Sequence, residues 1–497
     1  MTRSAIRRQA ACAATCLLGL VLSSLSECPA GDWSRFRGPN GSGVSPDTGV
    51  PLQWSETENL KWKTELPGRG VSCPIVVGDR VFVTCYSGYG MPGDSPGEMS
   101  DLKRHLVCVD RRTGEVAWTA TVPAALPEDP YSPPGVTAHG YASHTPVSDG
   151  ERIYAFFGKS GLYAYDLSGK ELWHSAVGAE SGPQRWGSAA SPVVYEDLVI
   201  VNASDEGEAM VAYDRMTGEE KWRAEASGLS GSWSTPILVD SDTGTELIVA
   251  VPREIWAFDP ERGKLKWYSK GNDDDTLCHS VVSADGVVYS IGGRGGDSIA
   301  VKAGGKGDVS KTHTVWEGRA QGRFGSPVLH EGYLYSVSGG VASCYNAQTG
   351  ERVFQARLAS GEPVADDQLA GGRPGGGFGG RPGDGPGGPG RGPGGPGGGP
   401  GGPGGPGGGP GGGRGGFGGR GGGMRGQDYA SPVLADGRIY CTTKAGTFYV
   451  IAAKPEFELL ATNSLTSDAS GFDATPAISD GDLFIRSHTH LYCIGQK

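Results

Sequence analysis

A half-motif that returns at near-constant spacing constrains this chain more than any other feature. Repeats too small to bury their own apolar face become stable only by stacking on one another. A small residue followed by Pro opens an apolar run at Cys73-Pro74, Thr145-Pro146, Ser191-Pro192, Thr235-Pro236, Ser326-Pro327, Ser431-Pro432 and Thr475-Pro476. His279-Ser280-Val281-Val282 is an eighth copy without the Pro. Each continues as an apolar pair, an acidic or Gly turn, and renewed apolar alternation, as in Pro432-Val-Leu-Ala-Asp-Gly-Arg-Ile-Tyr440. Period-two alternation broken by Asp-Gly or Gly-Asp marks short antiparallel strands joined by tight turns. From Thr145 to Ser326 the starts are 46, 44, 45 and 46 residues apart, the size of a four-stranded propeller blade.

A second half-motif follows each start. It reads Asp110-Arg-Arg-Thr113-Gly114-Glu-Val-Ala-Trp118 and Asp166-Leu-Ser168-Gly169-Lys-Glu-Leu-Trp173. It returns around Gly218 with Trp222, around Gly263 with Trp267, and at Gly350, where Phe354 holds the Trp place; Trp316 belongs to the same series. Asp or Asn is expected to bond the turn backbone and Gly to supply a positive φ. The Trp is expected to lie on a following strand and cover the join between blades. Cys108, Cys344 and Cys493 occupy the repeat position that holds Ala164, where a small buried thiol serves as well as a methyl.

The last repeat, from Thr475, stops before any Trp-bearing strand, while Asn59-Leu-Lys-Trp62-Lys-Thr-Glu-Leu66 is such a strand with no repeat before it. Joining the two closes a ring and removes both open sheet edges. The sequence therefore predicts an all-β, eight-bladed propeller of four-stranded antiparallel sheets, with residues 59–66 completing the C-terminal blade. Its organisation reads as a leader at 1–30, a lead-in at 31–58, blades one to six within 59–370, an insertion at 371–427 and blades seven and eight at 428–497.

The form Ala-Tyr-Asp-x-x-Thr-Gly-Glu-x-x-Trp resembles the pyrroloquinoline-quinone (PQQ)-like repeat of quinoprotein dehydrogenases, and equally that of the BamB-type outer-membrane assembly lipoprotein. Trp33-Ser-Arg-Phe-Arg-Gly-Pro-Asn-Gly-Ser-Gly43 also looks like the lead-in of an exported bacterial branch of this family. The resemblance implies one of two roles. A quinoprotein would hold PQQ over a Trp floor, which Trp186 or Trp233 could supply, beneath a disulfide of two adjacent Cys, with Ca²⁺ on Asn and acidic groups. This sequence has no Cys-Cys pair and no CxxCH haem module. The expectation is therefore a non-catalytic, monomeric binding or scaffold propeller with envelope or secreted protein partners and no cofactor. A PQQ- and Ca²⁺-dependent dehydrogenase and a funnel for a small ligand or polymer are the alternatives.

With 55 acidic against 44 basic residues the net charge is −11, a poor basis for nucleic-acid binding. Arg3, Arg7 and Arg8 precede an uncharged apolar stretch at 10–25, the layout of a secretory leader cleaved after Ala30. Glu27 stands where a lipidation motif at Cys28 would carry a small residue, which favours ordinary cleavage. Export to the periplasm or envelope follows, with no later membrane span. The Gly/Pro tract at 371–427 lacks the apolar content to fold and is expected to be disordered. A Cys85–Cys108 bridge within one blade is left open.

Residues just before each blade's first strand are expected to converge on the central channel. They are His139, His144, Arg185, Trp186, Trp233, Asp275, His279, Arg323, Asp428, Tyr429 and Asp473, a mixture suited to a polar funnel. Longer loops at 88–103 and 123–141 are placed to cap one face. His488 and His490 read as surface residues on a shortened hairpin, and Asp273-Asp274-Asp275 as a solvated acidic turn.

Overall fold

A computed structural model describes residues 31–364 and 428–496, apart from Asp94, Pro134, Arg294 and Gln321. The leader at 1–30 and the tract at 371–427 lie outside the described residues. Among the described residues eight sheets follow one another along the chain, seven of four antiparallel strands and one of five with a parallel edge strand. Blade one, for instance, comprises Ile75–Val77, Arg80–Ser87, Lys103–Asp110 and Val116–Pro123. The ring closes as expected: Leu60–Glu65 pairs antiparallel with His490–Ile494, matching Trp62 to Cys493 and Glu65 to His490.

The Trp–Gly pairing explains how blades join. In each outer strand the Trp lies opposite a small residue: Cys108 faces Trp118, Ala164 faces Trp173, Ala212 faces Trp222 and Cys493 faces Trp62. Its indole N–H donates to a turn carbonyl of the next blade. Trp62 reaches Arg111 at 2.8 Å, Trp118 reaches Leu167 at 3.0 Å, Trp173 reaches Arg215 at 3.1 Å and Trp222 reaches Pro260 at 3.0 Å. The ring then covers the turn glycine itself. Gly114, Gly169, Gly218, Gly263 and Gly350 sit under Trp62, Trp118, Trp173, Trp222 and Trp316, all with φ between 66° and 90°. Gly is thus required for close approach as well as for backbone conformation.

Two joins depart from the pattern. Blade five lacks the turn motif, so Trp267 donates instead to Glu246 Oε2 at 2.8 Å, and Gly307–Asp308 adds a short parallel strand beside Trp267 and Tyr268. Blade seven has Ala461 in the Trp place, opposite Val450. There Trp54 of the lead-in packs against Tyr440 and Phe448, with ring centroids 6.3 and 5.9 Å away.

The small residue that opens each blade does more than fit. Its side chain accepts the backbone N–H of the corresponding residue one blade earlier, in one unbroken circuit. Cys73 N–H donates to Thr145 Oγ1, Thr145 to Ser191, Ser191 to Thr235, Thr235 to Ser280, Ser280 to Ser326, Ser326 to Ser431 and Ser431 to Thr475. Thr475 N–H closes the circle on the Cys73 thiol at 3.2 Å. Ser326→Ala would leave the buried Ser280 N–H without an acceptor, a loss of about 1–3 kcal/mol. Equilibrium urea unfolding should show it, whereas Ser326→Thr should restore the link.

The lead-in runs across one end of the axis. Trp33 exchanges both backbone bonds with Val76 in blade one, Arg35 donates to the Pro236 carbonyl in blade four, and Arg37 donates to that of Pro327 in blade six. Val44 bridges Leu434 in blade seven. Arg35 and Arg37 are buried, and burial lowers their affinity for the proton. Cys85 and Cys108 are free thiols. Cys85 pairs with His105 and Cys108 with Phe82, three residues apart along the ladder and therefore on opposite faces, which rules out the bridge left open above. Among the described residues no helix is long and apolar enough to cross a membrane.

Candidate functional site

Strand parity builds the axial funnel. Counting back from the small residue that opens each blade, the residue two positions earlier faces the axis and the one between faces into the sheet. The eight axial residues are Val71, Ser143, Ala189, Trp233, Cys278, Phe324, Tyr429 and Asp473, and all line one cavity of about 190 Å³ together with the hydroxyl ring. Phe36 of the lead-in lines it too, and the loop at 123–141 contributes Gly135, Ala138 and His139. The aromatic axial residues stand on blades four, six and seven, against Val71, Ser143 and Ala189 on blades one to three, so the cavity is lopsided. Trp186 and Arg323 add to its wall.

Trp186 and Trp233 stack at 5.5 Å with 21° between planes, and Phe324 and Tyr429 meet at 4.4 Å. The Arg323 guanidinium lies 4.9 Å from the Phe324 ring centre. Asp473 is buried. Its Oδ2 accepts from His488 Nε2 at 2.7 Å and pairs with Lys444 at 3.0 Å, while Oδ1 has no partner. His488 accepts from Arg69 on its other nitrogen, so the neutral ring suffices to donate to Asp473. The surface reading of the two histidines is therefore corrected: His488 is buried, and partly buried His490 bonds Asp468 Oδ2 at 3.0 Å. Burial works to raise the Asp468 carboxyl, but donation from Ser470, Ser487 and Tyr492 together outweighs it and holds the group well below the ordinary range.

Of the residues expected at the channel, His139, Trp186, Trp233, Arg323, Tyr429 and Asp473 line the cavity. The rest lie elsewhere for stated reasons. His144 and His279 occupy the in-between position and point into the sheet. His144 bonds Ser188 at 2.7 Å, His279 bonds Ser290 at 3.0 Å, and burial lowers their pKa to about 3 and about 4. Arg185 is exposed on a left-handed turn. Asp428 turns outward to accept the N–H groups of Lys444 and Gly340. Asp275 and Asp273 pair with Arg253 at the surface, whereas Asp274 between them is buried. Phe36, Cys278 and Phe324 were not anticipated; the two-residue period would have found the last two.

The blade-opening hydroxyls accept backbone N–H groups and belong to the scaffold. Two Ser–His contacts stand near the funnel, Ser143 with His139 Nδ1 at 2.6 Å and Ser188 with His144 Nε2 at 2.7 Å, and neither imidazole has a carboxylate behind it: His139 Nε2 meets the Trp186 carbonyl, and Ser188 itself donates to Glu206. Among the described residues no group of three His, Cys, Asp or Glu is arranged to hold a metal.

A family profile described as outer membrane protein assembly factor BamB matches residues 102–356. A polyvinylalcohol dehydrogenase from a Pseudomonas species is 22% identical over 276 residues, covering 46% of this chain and 39% of that protein, well under half the relative's length. The crystal structure of BamB from Moraxella catarrhalis superposes with a TM-score of 0.52 at 11% identity, covering 88% of this chain and 97% of that one. Quinohemoprotein alcohol dehydrogenase from Comamonas testosteroni gives 0.56 at 12% identity, covering 94% and 81%. At such identities the two structures share the fold.

Proposed function

Because the chain belongs to the family described as outer membrane protein assembly factor BamB, we propose that it is an exported, non-catalytic binding propeller of the cell envelope whose axial funnel receives the ligand or partner segment. One observation carries this reading. The funnel is a rigid ring that presents aromatic faces and one buried, unpartnered carboxylate oxygen, Asp473 Oδ1, at its wall. A hydrogen-bond donor flanked by apolar or planar surface satisfies both.

The fold family also implies PQQ with Ca²⁺, and the donor set of this funnel does not suit them. Ca²⁺ takes about six to eight oxygen ligands, and among the described residues the cavity wall carries one carboxylate, already engaged by Lys444 and His488. Among the described residues Arg323 is the one Lys or Arg side chain on the wall to meet a triacid. The two tryptophans stack on each other instead of offering a free floor. Protein incubated with PQQ and Ca²⁺ should therefore lose all quinone absorbance on desalting and reduce no dye with alcohols or sugars. Stoichiometric retention with turnover would overturn the non-catalytic reading.

A second expectation concerns the funnel itself. Compounds retained from envelope extract and detected by native mass spectrometry should fall at least about tenfold with Asp473→Asn or Phe324→Ala, the loss of one buried contact worth about 1.4 kcal/mol or more. Retention unaffected by either change would move the binding site to the outer loops.

A further inference from the structure

Behind the tryptophan wall lies a second, smaller cavity whose charges do not balance. It is lined by Arg104, Glu128, Asp129, Lys159, Asp205 and Glu206, with His144 and Ser188 beside them. Arg104 pairs with Glu128 at 2.6 Å and Lys159 with Asp129 at 3.7 Å. Asp205 and Glu206, adjacent in the single helical turn Ser204–Gly207 and both buried, are left without a cation of their own.

These two carboxyls hold the segment that carries Trp186. Asp205 Oδ2 accepts the Trp233 indole N–H at 2.9 Å, and the same N–H reaches the Gly187 carbonyl at 2.7 Å. Glu206 Oε1 accepts Ser188 Oγ–H, and Ser188 in turn contacts His144 Nε2. The Trp186 carbonyl is held by His139 Nε2 at 2.7 Å. Residues 186–188 are thus held at three successive points, Ser188 by Glu206 directly and Gly187 by the indole N–H that Asp205 also receives.

We infer that the Asp205–Glu206 pair is a proton-operated latch on the funnel's tryptophan wall. Two neighbouring carboxyls buried together cannot both ionise at low cost, so the charge on one governs the other and they titrate as a unit. Burial pushes both upward, Asp205 to about 7 and Glu206 to about 8; the nearby charge of Asp129 adds to the first and that of Asp205 to the second. The other groups facing the pair are Glu128, Arg104, Lys159, Glu180, His144 and Tyr141, a phenol that burial keeps protonated. Of these, Arg104 and Lys159 are already matched, and His144 is neutral, since burial keeps its pKa far below the usual value. Losing a proton charges the carboxyls that accept the Trp233 indole N–H and the Ser188 hydroxyl, strengthening those bonds while setting like charges side by side behind Trp233, and so resets the packing of Trp233 on Trp186.

The sign follows from linkage. Carboxyls that titrate higher in the folded chain than in the unfolded one make folded protein the better proton binder. Their contribution is complete below the unfolded values near 4 and is lost as pH rises through about 7 to 8. As control over ligand capture the latch rests on the funnel being the binding site; the spectroscopic test does not, so the two can fail separately.

Near-UV circular dichroism of the full chain, recorded from pH 5.5 to 9.5, should show a reversible tryptophan transition centred between about pH 7 and 8.5, with far-UV signal unchanged. Trp233→Phe should remove most of its amplitude. Glu206→Gln, which mimics the protonated acid, should abolish it and flatten the fall of Tm with rising pH. Ser188→Ala, a milder change, should shift the midpoint without unfolding the chain. A wild-type signal flat across this range, or one that persists in a folded Glu206→Gln chain, would overturn the inference. So would a midpoint that moves with a chelator, which would assign the pair to a bound cation.

Discussion

Trp62→Ala should lower the free energy of unfolding by about 3–5 kcal/mol, the loss typical of an aromatic residue removed from a packed core. The ring of Trp62 covers Gly114 of blade one, packs 6.1 Å from Phe484 of blade eight, and donates to the Arg111 carbonyl. It therefore binds three things at once: the closing strand, the last blade and the first. Trp118→Ala breaks a similar join between blades one and two, where sequence continuity still holds the neighbours together. The two variants should differ in limited proteolysis, with Trp62→Ala opening at the termini. A cost for Trp62→Ala below about 1 kcal/mol would mean that closure adds little to stability.

Gly218→Val should cost about 2–5 kcal/mol by a different mechanism. At φ +74° a β-branched residue is strained, by roughly 1–2 kcal/mol. A Cβ there would also sit 2.5 Å from the Trp173 ring and 2.9 Å from Ser175 Oγ. Overpacking of that kind adds about 1–3 kcal/mol. A double-mutant cycle separates the two terms. Combined with Trp173→Leu, Gly218→Val should cost clearly less than the sum of the single changes, because the clash with the indole disappears while the backbone part and the Ser175 contact stay. Strict additivity would show that the indole is not the obstacle.

Repeat spacing made the ring legible before any coordinates, because blades are local units whose turns and strands carry their own signals. The closing strand was legible too, since an orphan Trp-bearing strand at one end matched a missing one at the other. The funnel was only half legible. His144 and His279 are conspicuous in the sequence, but the strand's two-residue period turns them into the sheet, where neutral imidazoles bond serine. Phe324, less conspicuous, faces the axis. Three features lie beyond any reading of local pattern. The bonds of Arg35 and Arg37 to blades four and six span 201 and 290 residues. Trp54 substitutes for a tryptophan that its blade lacks. The clamp on residues 186–188 depends on a helical turn in the following blade.

The circuit of backbone N–H groups and blade-opening side chains has a further consequence. Most of its links join residues 44 to 46 apart, yet the link from Ser326 to Ser431 spans 105 and keeps the same form, at 2.9 Å. Angular order around the axis is thus fixed by what each amide meets in space, indifferent to how much polypeptide lies between. The join between the sixth and seventh sectors is accordingly a natural port for cargo: a folded guest spliced there would ride on the wheel without altering its gauge.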